Sequence, residues 1–316
     1  MKEYDIVIVG SGPAGLTAGL YAARAGLVVL ELEKTASGGQ MLLTEKIENF
    51  PGFPEGINGQ DLAEKFRAQA VGSGLEIVNQ EVKQIVAAES QEKSAGYIVK
   101  TEEDDYPAQA VILACGAHPK RLGVPREETL TGRGVSYCAT CDGPLFREKE
   151  IVVVGGGNAA CEEALYLSKF ARKIHLVHRK ARLRADQVLQ ERLRQEPKIN
   201  FVYNSIVLEI LGEEKVSGVK IEELTTGKRR EISVEGVFIF AGFAPNTDFL
   251  KGLIKMNSDG FILTDKNYAA SRPGIFACGD CRLRDLYQIV TACGEGAEAA
   301  EACQNYIEEL RGTAYK

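Results

Sequence analysis

Residues 4–15 read YDIVIVGSGPAG, and LTAGLYAARAG follows over residues 16–26. The apolar run Ile6–Val9 predicts a strand buried on both faces of a parallel sheet. Leu and Ala at helical spacing after it predict a helix packed on that sheet. VVLELE, residues 28–33, reads as the next strand. Between strand and helix, Gly10, Gly12 and Gly15 form GxGxxG. In that setting the first glycine permits the tight turn, the second lets a pyrophosphate reach the backbone, and the third lets helix and strand pack closely. The helix N-terminus favours the phosphate charge. Glu33 lies 18 residues beyond Gly15, where an acid would hydrogen-bond a ribose hydroxyl.

The same pattern returns about 145 residues later. EIVVV (Glu150–Val154) leads into GGGNAA (155–160), CEEALYLSKFA (161–171) and KIHLVH (173–178). Gly155, Gly157 and Ala160 form GxGxxA. This copy ends in His178, Arg179 and Lys180, with Arg184 close behind, and has no acid where Glu33 stands in the first. Cations there suit a 2′-phosphate, so NADP is expected over NAD. Opposite charge at the two ribose ends implies two different dinucleotides, FAD in the first fold and NADPH in the second. The chain is thus read as α/β, with two Rossmann-like (three-layer ββα) dinucleotide-binding domains.

Elsewhere Tyr97–Lys100, Ala110–Cys115, Phe201–Tyr203, Val216–Ile221 and Val237–Phe240 read as strands. An Ala-rich helix is expected from about Gln288 to Leu310. CGAHPKRLGVPREE (115–128) has the turn chemistry of an interdomain linker, and GFAPNTDF (242–249) that of a second hinge.

The chain has 316 residues and a net charge of −6, with 38 basic and 44 acidic side chains. Two domains are the prior for that length. The acidic balance argues against a nucleic-acid or anionic-membrane surface. The longest apolar runs are strand-sized, so no membrane span is expected. MKEYDIVIVG passes straight into a strand and does not read as a signal peptide. Eight cysteines are too few for a disulfide scaffold and fit a reducing, cytoplasmic compartment.

Cys138 and Cys141 form a CxxC within GRGVSYCATCDG, residues 132–143. No second CxxC stands at zinc-ribbon spacing and only three histidines exist, which leaves little for a metal. A redox dithiol at a helix start is the better reading, since such a pair can close a disulfide and the helix terminus lowers one thiol pKa. Asp142, next in the chain, could carry a proton to or from a departing thiolate. Cys278 and Cys281 also fit CxxC, but Gly279-Asp280 between them reads as a cofactor-contacting turn with the cysteines as small apolar fillers. Cys115, Cys161, Cys293 and Cys303 read as core residues. His118 and His175 show no partners in the sequence and receive no role.

Through these residues the chain resembles the low-molecular-weight, bacterial-type thioredoxin reductases, within the flavoprotein disulfide reductase family. The resemblance runs over essentially the whole length. Besides the stretches above it is carried by SGGQM (37–41), ENFPGFPEGINGQDL (48–62), HRKARLRA (178–185), GVFIFAGFAPNTDF (236–249), TDKNYAASRPGIFACGD (264–280) and TACGEGAEAA (291–300). It implies that Gly10, Gly12, Gly15, Glu33, Gln40, Asn49, Asp280 and Gln288 contact FAD. Gly155, Gly157, Ala160, His178, Arg179, Lys180 and Arg184 would hold NADPH. It implies an NADPH domain (118–246) inserted into an FAD domain (1–117 and 247–316), a homodimer, and rotation of one domain against the other. Electrons would run from NADPH through FAD to Cys141. Cys138 would attack the disulfide of a thioredoxin-like partner, and Asp142 would be the general acid.

The chain departs from that pattern at Tyr287, where an Arg usually precedes the glutamine, and at Lys180 and Ala181, which replace a usual Arg and Asp. Tyr287 is the feature that would suit another donor: ferredoxin, NADH or a second flavin. A flavin-bound redox sensor has no need of the intact second glycine turn.

Overall fold

Strand β1 (Tyr4–Val9) carries the decisive glycine turn into helix α1 (Pro13–Arg24) and on to β2 (Val29–Leu32). The structure is a computed structural model and describes residues 2–43, 47, 49–88 and 96–314. It divides into two units, Met1–His118 with Ala244–Lys316, and Pro119–Phe243.

The first unit continues with α2 (Gly59–Gly72), β3 (Glu76–Val78), β4 (Gln84–Ala87), β5 (Tyr97–Lys100) and β6 (Asp105–Leu113). The chain leaves through β7 (Ala117–Pro119). The second unit holds β8 (Val135–Ser136), α3 (Ala139–Asp142), β9 (Glu150–Val154), α4 (Asn158–Leu167), β10 (Lys173–Val177) and α5 (Gln187–Gln195). Then come β11 (Ile199–Val202), β12 (Ser205–Leu211), β13 (Gly218–Glu223), β14 (Arg229–Ser233) and β15 (Gly236–Ile239). The chain returns through β16 (Phe243–Pro245) to β17 (Ile275–Ala277) and α6 (Ile289–Arg311).

In the first unit the sheet order is β3-β2-β1-β6-β5-β4, with β17 also on β6. β1 runs parallel to β2 and β6, with Val7 opposite Leu30 and Val111. Its alternate residues serve two cores. Ile6 and Ile8 pack toward Leu16, Ala299 and Ile307, while Val7 and Val9 pack toward Leu30, Leu113 and Ile275. That double burial is why β1 reads as a continuous apolar run rather than an alternating one. Small residues let α6 close on α1: a Cβ on Gly296 would stand 2.3 Å from the Ala14 carbonyl oxygen.

The second unit has a parallel sheet, β11-β10-β9-β15-β8, and an antiparallel one, β12-β13-β14. Ile151, Val153 and Phe238 face Leu167 and Leu193 of the helices. Val152, Val177 and Val237 face Ile210, Val219 and Ile232 of the antiparallel sheet. Helix, parallel sheet and second sheet make the three layers expected from the sequence.

Several boundaries differ from the sequence reading. β6 begins at Asp105 rather than Ala110 and ends at Leu113 rather than Cys115. β12 and β14 had no counterpart in that reading, and β13 lies two residues further on than Val216–Ile221. α6 falls within a residue of its expected span, with Gln288 as its cap. Among the described residues, no helix is long and apolar enough to cross a membrane.

Candidate functional site

β2, β1, β6 and β17 are parallel neighbours, so their C-terminal ends share one edge of the sheet. That edge is where open α/β sheets bind ligands. Gly10 sits there at φ +103°, and a Cβ on it would stand 2.5 Å from the Ala114 carbonyl oxygen. A Cβ on Gly15 would stand 1.9 Å from the Gly10 carbonyl oxygen. Neither position admits a side chain. Gly12 is different: a Cβ there meets nothing within 4 Å, so its face is open. Gly12 is the N-cap of α1, which has no side-chain cap and no acid in its first turn. The helix therefore presents its positive end, with first-turn N–H groups that no side chain caps among the described residues, at an open cradle.

The Glu33 carboxylate is fixed to that turn. It accepts from the Ser11 N–H at 2.9 Å and from the Thr35 N–H at 3.1 Å. Gln40 donates to the Ala117 carbonyl. Asn49 donates to Gln288 Oε1 at 2.9 Å, which joins two expected site residues far apart in sequence. Gln288 and Thr291 cap α6 reciprocally. Asp280 lies in a 3₁₀ turn after β17, 3.2 Å from Arg284 Nη1. Burial pushes its carboxyl up to about 6, with Arg284 opposing and Glu295 adding.

The second glycine turn is built alike. A Cβ on Gly155 would stand 2.4 Å from the Ala160 Cβ, and Gly157 is the N-cap of α4, which has no side-chain cap. The Arg184 N–H donates to the Gly156 carbonyl at 2.6 Å, which holds Arg184 beside this helix start. Arg179, Lys180, Arg182 and Arg184 are exposed, and none makes an ion pair within the described residues. His178 departs from the expectation of a cation. It is buried, its ring fills the space a Cβ on Gly156 would need, and burial holds it below the ordinary histidine range. It offers ring surface at neutral pH, not charge.

Cys138 and Cys141 are joined in a disulfide with Cα atoms 5.3 Å apart, as the CxxC spacing led one to expect. Cys138 is the N-cap of α3, and its sulfur accepts from the Cys141 N–H at 3.2 Å. Both cysteines and Asp142 are half-buried. The buried Ser136 hydroxyl donates to Asp142 Oδ2 at 2.6 Å and accepts from the Cys138 N–H at 3.1 Å. One hydroxyl thus ties the acid to the disulfide's own backbone. Ser136, Arg284 and Glu295 carry no expected role in the sequence, because their contacts with Asp142, Asp280 and the Gly279 N–H form only in the fold.

Cys278 and Cys281 are free and fully buried. The Cys281 thiol donates to the Cys278 and Leu113 carbonyls at 3.3 and 3.4 Å. Burial pushes the Cys278 thiol well up, which disfavours the reactive thiolate. Cys161 and Cys303 are core residues, whereas Cys115 and Cys293 are only half-buried. The two histidines without visible partners have them in the fold. His118 Nδ1 is 2.8 Å from Asn246 Oδ1, and His175 meets Asn200 at 3.3 Å and Glu150 at 3.7 Å. Among the described residues no cluster of three or more His, Cys, Asp or Glu side chains could hold a metal ion.

Residues 4–296 match the family model described as pyridine nucleotide-disulphide oxidoreductase. The chain is 44% identical over 312 residues to a thioredoxin reductase of Listeria monocytogenes, covering 98% of this chain and 96% of that one. It is 44% identical over 313 residues to a thioredoxin reductase of Bacillus subtilis, covering 99% and 97%. The crystal structure of thioredoxin reductase from Streptococcus pyogenes is similar at a TM-score of 0.87 and 46% identity, covering 97% of this chain and 99% of that one.

Proposed function

The chain belongs to the pyridine nucleotide-disulphide oxidoreductase family, and from that premise we propose that it reduces the disulfide of thioredoxin with electrons from NADPH. It is an oxidoreductase whose cofactors are FAD and NADPH. The observation that carries the reading is the closed Cys138–Cys141 disulfide with Asp142 in the same turn.

The residues present fit both groups. The open face of Gly12, the uncapped start of α1 and the tethered Glu33 suit the diphosphate and ribose of FAD, with Gly10, Gly15, Gln40, Asn49, Asp280 and Gln288 completing its site. The uncapped start of α4 and the cations Arg179, Lys180 and Arg184 suit the diphosphate and 2′-phosphate of NADPH, with Gly155, Gly157, Ala160 and the His178 ring around them. The first unit is then the FAD domain and the second the NADPH domain. When bound, NADPH supplies an electron pair as hydride and FAD relays it to the disulfide.

The protein's own groups do the rest. Once the pair is reduced, the Cys138 thiolate attacks one sulfur of the partner's disulfide, forming a mixed disulfide and expelling the other sulfur. Asp142 delivers the proton that the expelled thiolate takes up. The Cys141 thiolate then attacks Cys138 Sγ, which restores the internal disulfide and frees the partner's second thiol. Two electrons and two protons pass to the partner in each cycle.

We further infer a cytoplasmic homodimer. Six free thiols suit a reducing compartment, and Leu283, Leu286 and Val290, close in sequence, stand 54%, 55% and 43% exposed, apolar surface that a second copy would cover. Cys138→Ser tests the exchange roles. Thioredoxin reduction is expected to vanish while NADPH still bleaches the flavin, and a variant that still reduces thioredoxin contradicts the assignment.

A further inference from the structure

Four charged side chains meet behind the Gly279–Asp280 turn. Arg282 Nη1 pairs with Glu295 Oε1 at 2.7 Å, and its guanidinium lies over the Tyr268 ring, 4.7 Å from the centroid. Glu295 Oε2 accepts the Gly279 N–H at 2.8 Å, so this carboxylate also holds the turn's backbone. Arg284 Nη1 stands 3.2 Å from Asp280 Oδ1 and 3.6 Å from Glu295 Oε2. The Arg284 side chain is only 5% exposed, and its guanidinium lies 5.7 Å from the centroid of the Tyr287 ring.

The two arginines do different work. Arg282 pairs with Glu295 Oε1, and Glu295 Oε2 braces the turn through the Gly279 N–H. Arg284 is the cation that reaches Asp280. The groups facing Asp280 are Arg284, Glu295 of α6 and the Tyr287 ring, with Arg282 behind Glu295. Without Arg284, Asp280 would face the like charge of Glu295 where little water reaches, and such a carboxyl takes up a proton. Burial already pushes Asp280 up to about 6 with Arg284 in place.

We propose that Arg284 is a positioning residue for the FAD: it holds Asp280 ionised and engages Oδ1, leaving Oδ2 to accept from the cofactor's hydroxyls. This rests on the assignment of Asp280 to the FAD site. A carboxylate acceptor makes a charge-assisted hydrogen bond, roughly twice as strong as a neutral one. The charge on Asp280 is therefore felt directly in flavin retention.

The test measures flavin released from the holoprotein, by the rise in its fluorescence on dilution, near pH 6.5 and near pH 8.5. Arg284→Met is expected to release flavin about tenfold more readily than wild type at the lower pH. The gap should narrow at the higher pH as Asp280 ionises without its cation. Arg284→Lys should behave as wild type, and Asp280→Asn should be weak at both pH values. If Arg284→Met does not fold, Arg284→Gln gives the same uncharged comparison. A loss equal at both pH values, or no rescue by lysine, overturns the proposal while Asp280→Asn still upholds the site. An Asp280→Asn holoprotein that keeps its flavin as wild type does overturns both.

Discussion

Glu31 is a carboxylic acid in the middle of β2, fully buried, and neither of its oxygens has a hydrogen-bond partner among the described residues. Burial pushes it up to about 8, with the nearby Ser11 hydroxyl opposing, short of a hydrogen bond of good geometry, and the Glu33 charge adding. An unfolded glutamate ionises near 4.5. Between those values the native chain keeps a proton that the unfolded chain has released. This contribution to stability is therefore largest below 4.5 and is lost as pH rises toward 8, at about 1.4 kcal/mol per unit. Glu31→Met keeps the volume and removes the ionisable group. Urea unfolding should show the variant gaining on wild type by a few kcal/mol between about pH 5 and about pH 8. A variant less stable than wild type at the higher pH would mean that the carboxyl has a favourable role in the core. The alternation VLELE already places Glu31 and Glu33 on one face of the strand, so their proximity was legible in the sequence. Their different fates were not: Glu33 reaches the Ser11 N–H at the strand end, while Glu31 stops under α1 beside Gly15. His178 makes the same point, since a histidine beside Arg179 reads as a cation until the Gly156 turn is seen to bury it.

At the scale of elements, the strand leading to the redox pair is held by one buried acid. Glu127 accepts from the N–H groups of Leu122, Gly123 and Val124 at 2.9, 2.8 and 3.3 Å and from the Tyr137 hydroxyl at 2.8 Å. It thereby folds the loop before β8 onto the residue next to Cys138. Glu127→Ala leaves four donors without their acceptor and should cost about 3–5 kcal/mol in chemical denaturation. Tyr137→Phe removes a single bond and should cost about 1 kcal/mol. A Glu127→Ala cost below 1 kcal/mol would show that water replaces the carboxylate freely. The elements that could be read in advance are those with both a period and a stop. α6 has a polar cap at Gln288, small and apolar residues in register, and a left-handed Gly312 at its end. β14 could not be read, because RREIS buries only Ile232 and its other residues are the polar surface of an edge strand. The start of β6 was hidden by Pro107, which stands where β6 extends beyond the first residue of β1.

At the scale of the molecule, one chain builds the strand–glycine turn–helix device twice and places a dithiol just before the second copy. That plan was legible because each copy needs glycines where a Cβ would strike backbone or its paired helix, and sequence records such exclusions directly. The positioning shell was not legible: Ser136, Arg284 and Glu295 act through contacts that only the folded chain creates. The central claim is that electrons taken from NADPH end on the sulfurs of Cys138 and Cys141. Anaerobic titration of the yellow holoprotein with NADPH, followed by alkylation and peptide mass mapping, tests it most directly. The flavin should bleach, and two new thiols should appear at Cys138 and Cys141, with Cys278 and Cys281 unchanged. A flavin that stays oxidised under NADPH, or one that bleaches while the Cys138–Cys141 bridge remains closed, would contradict the account.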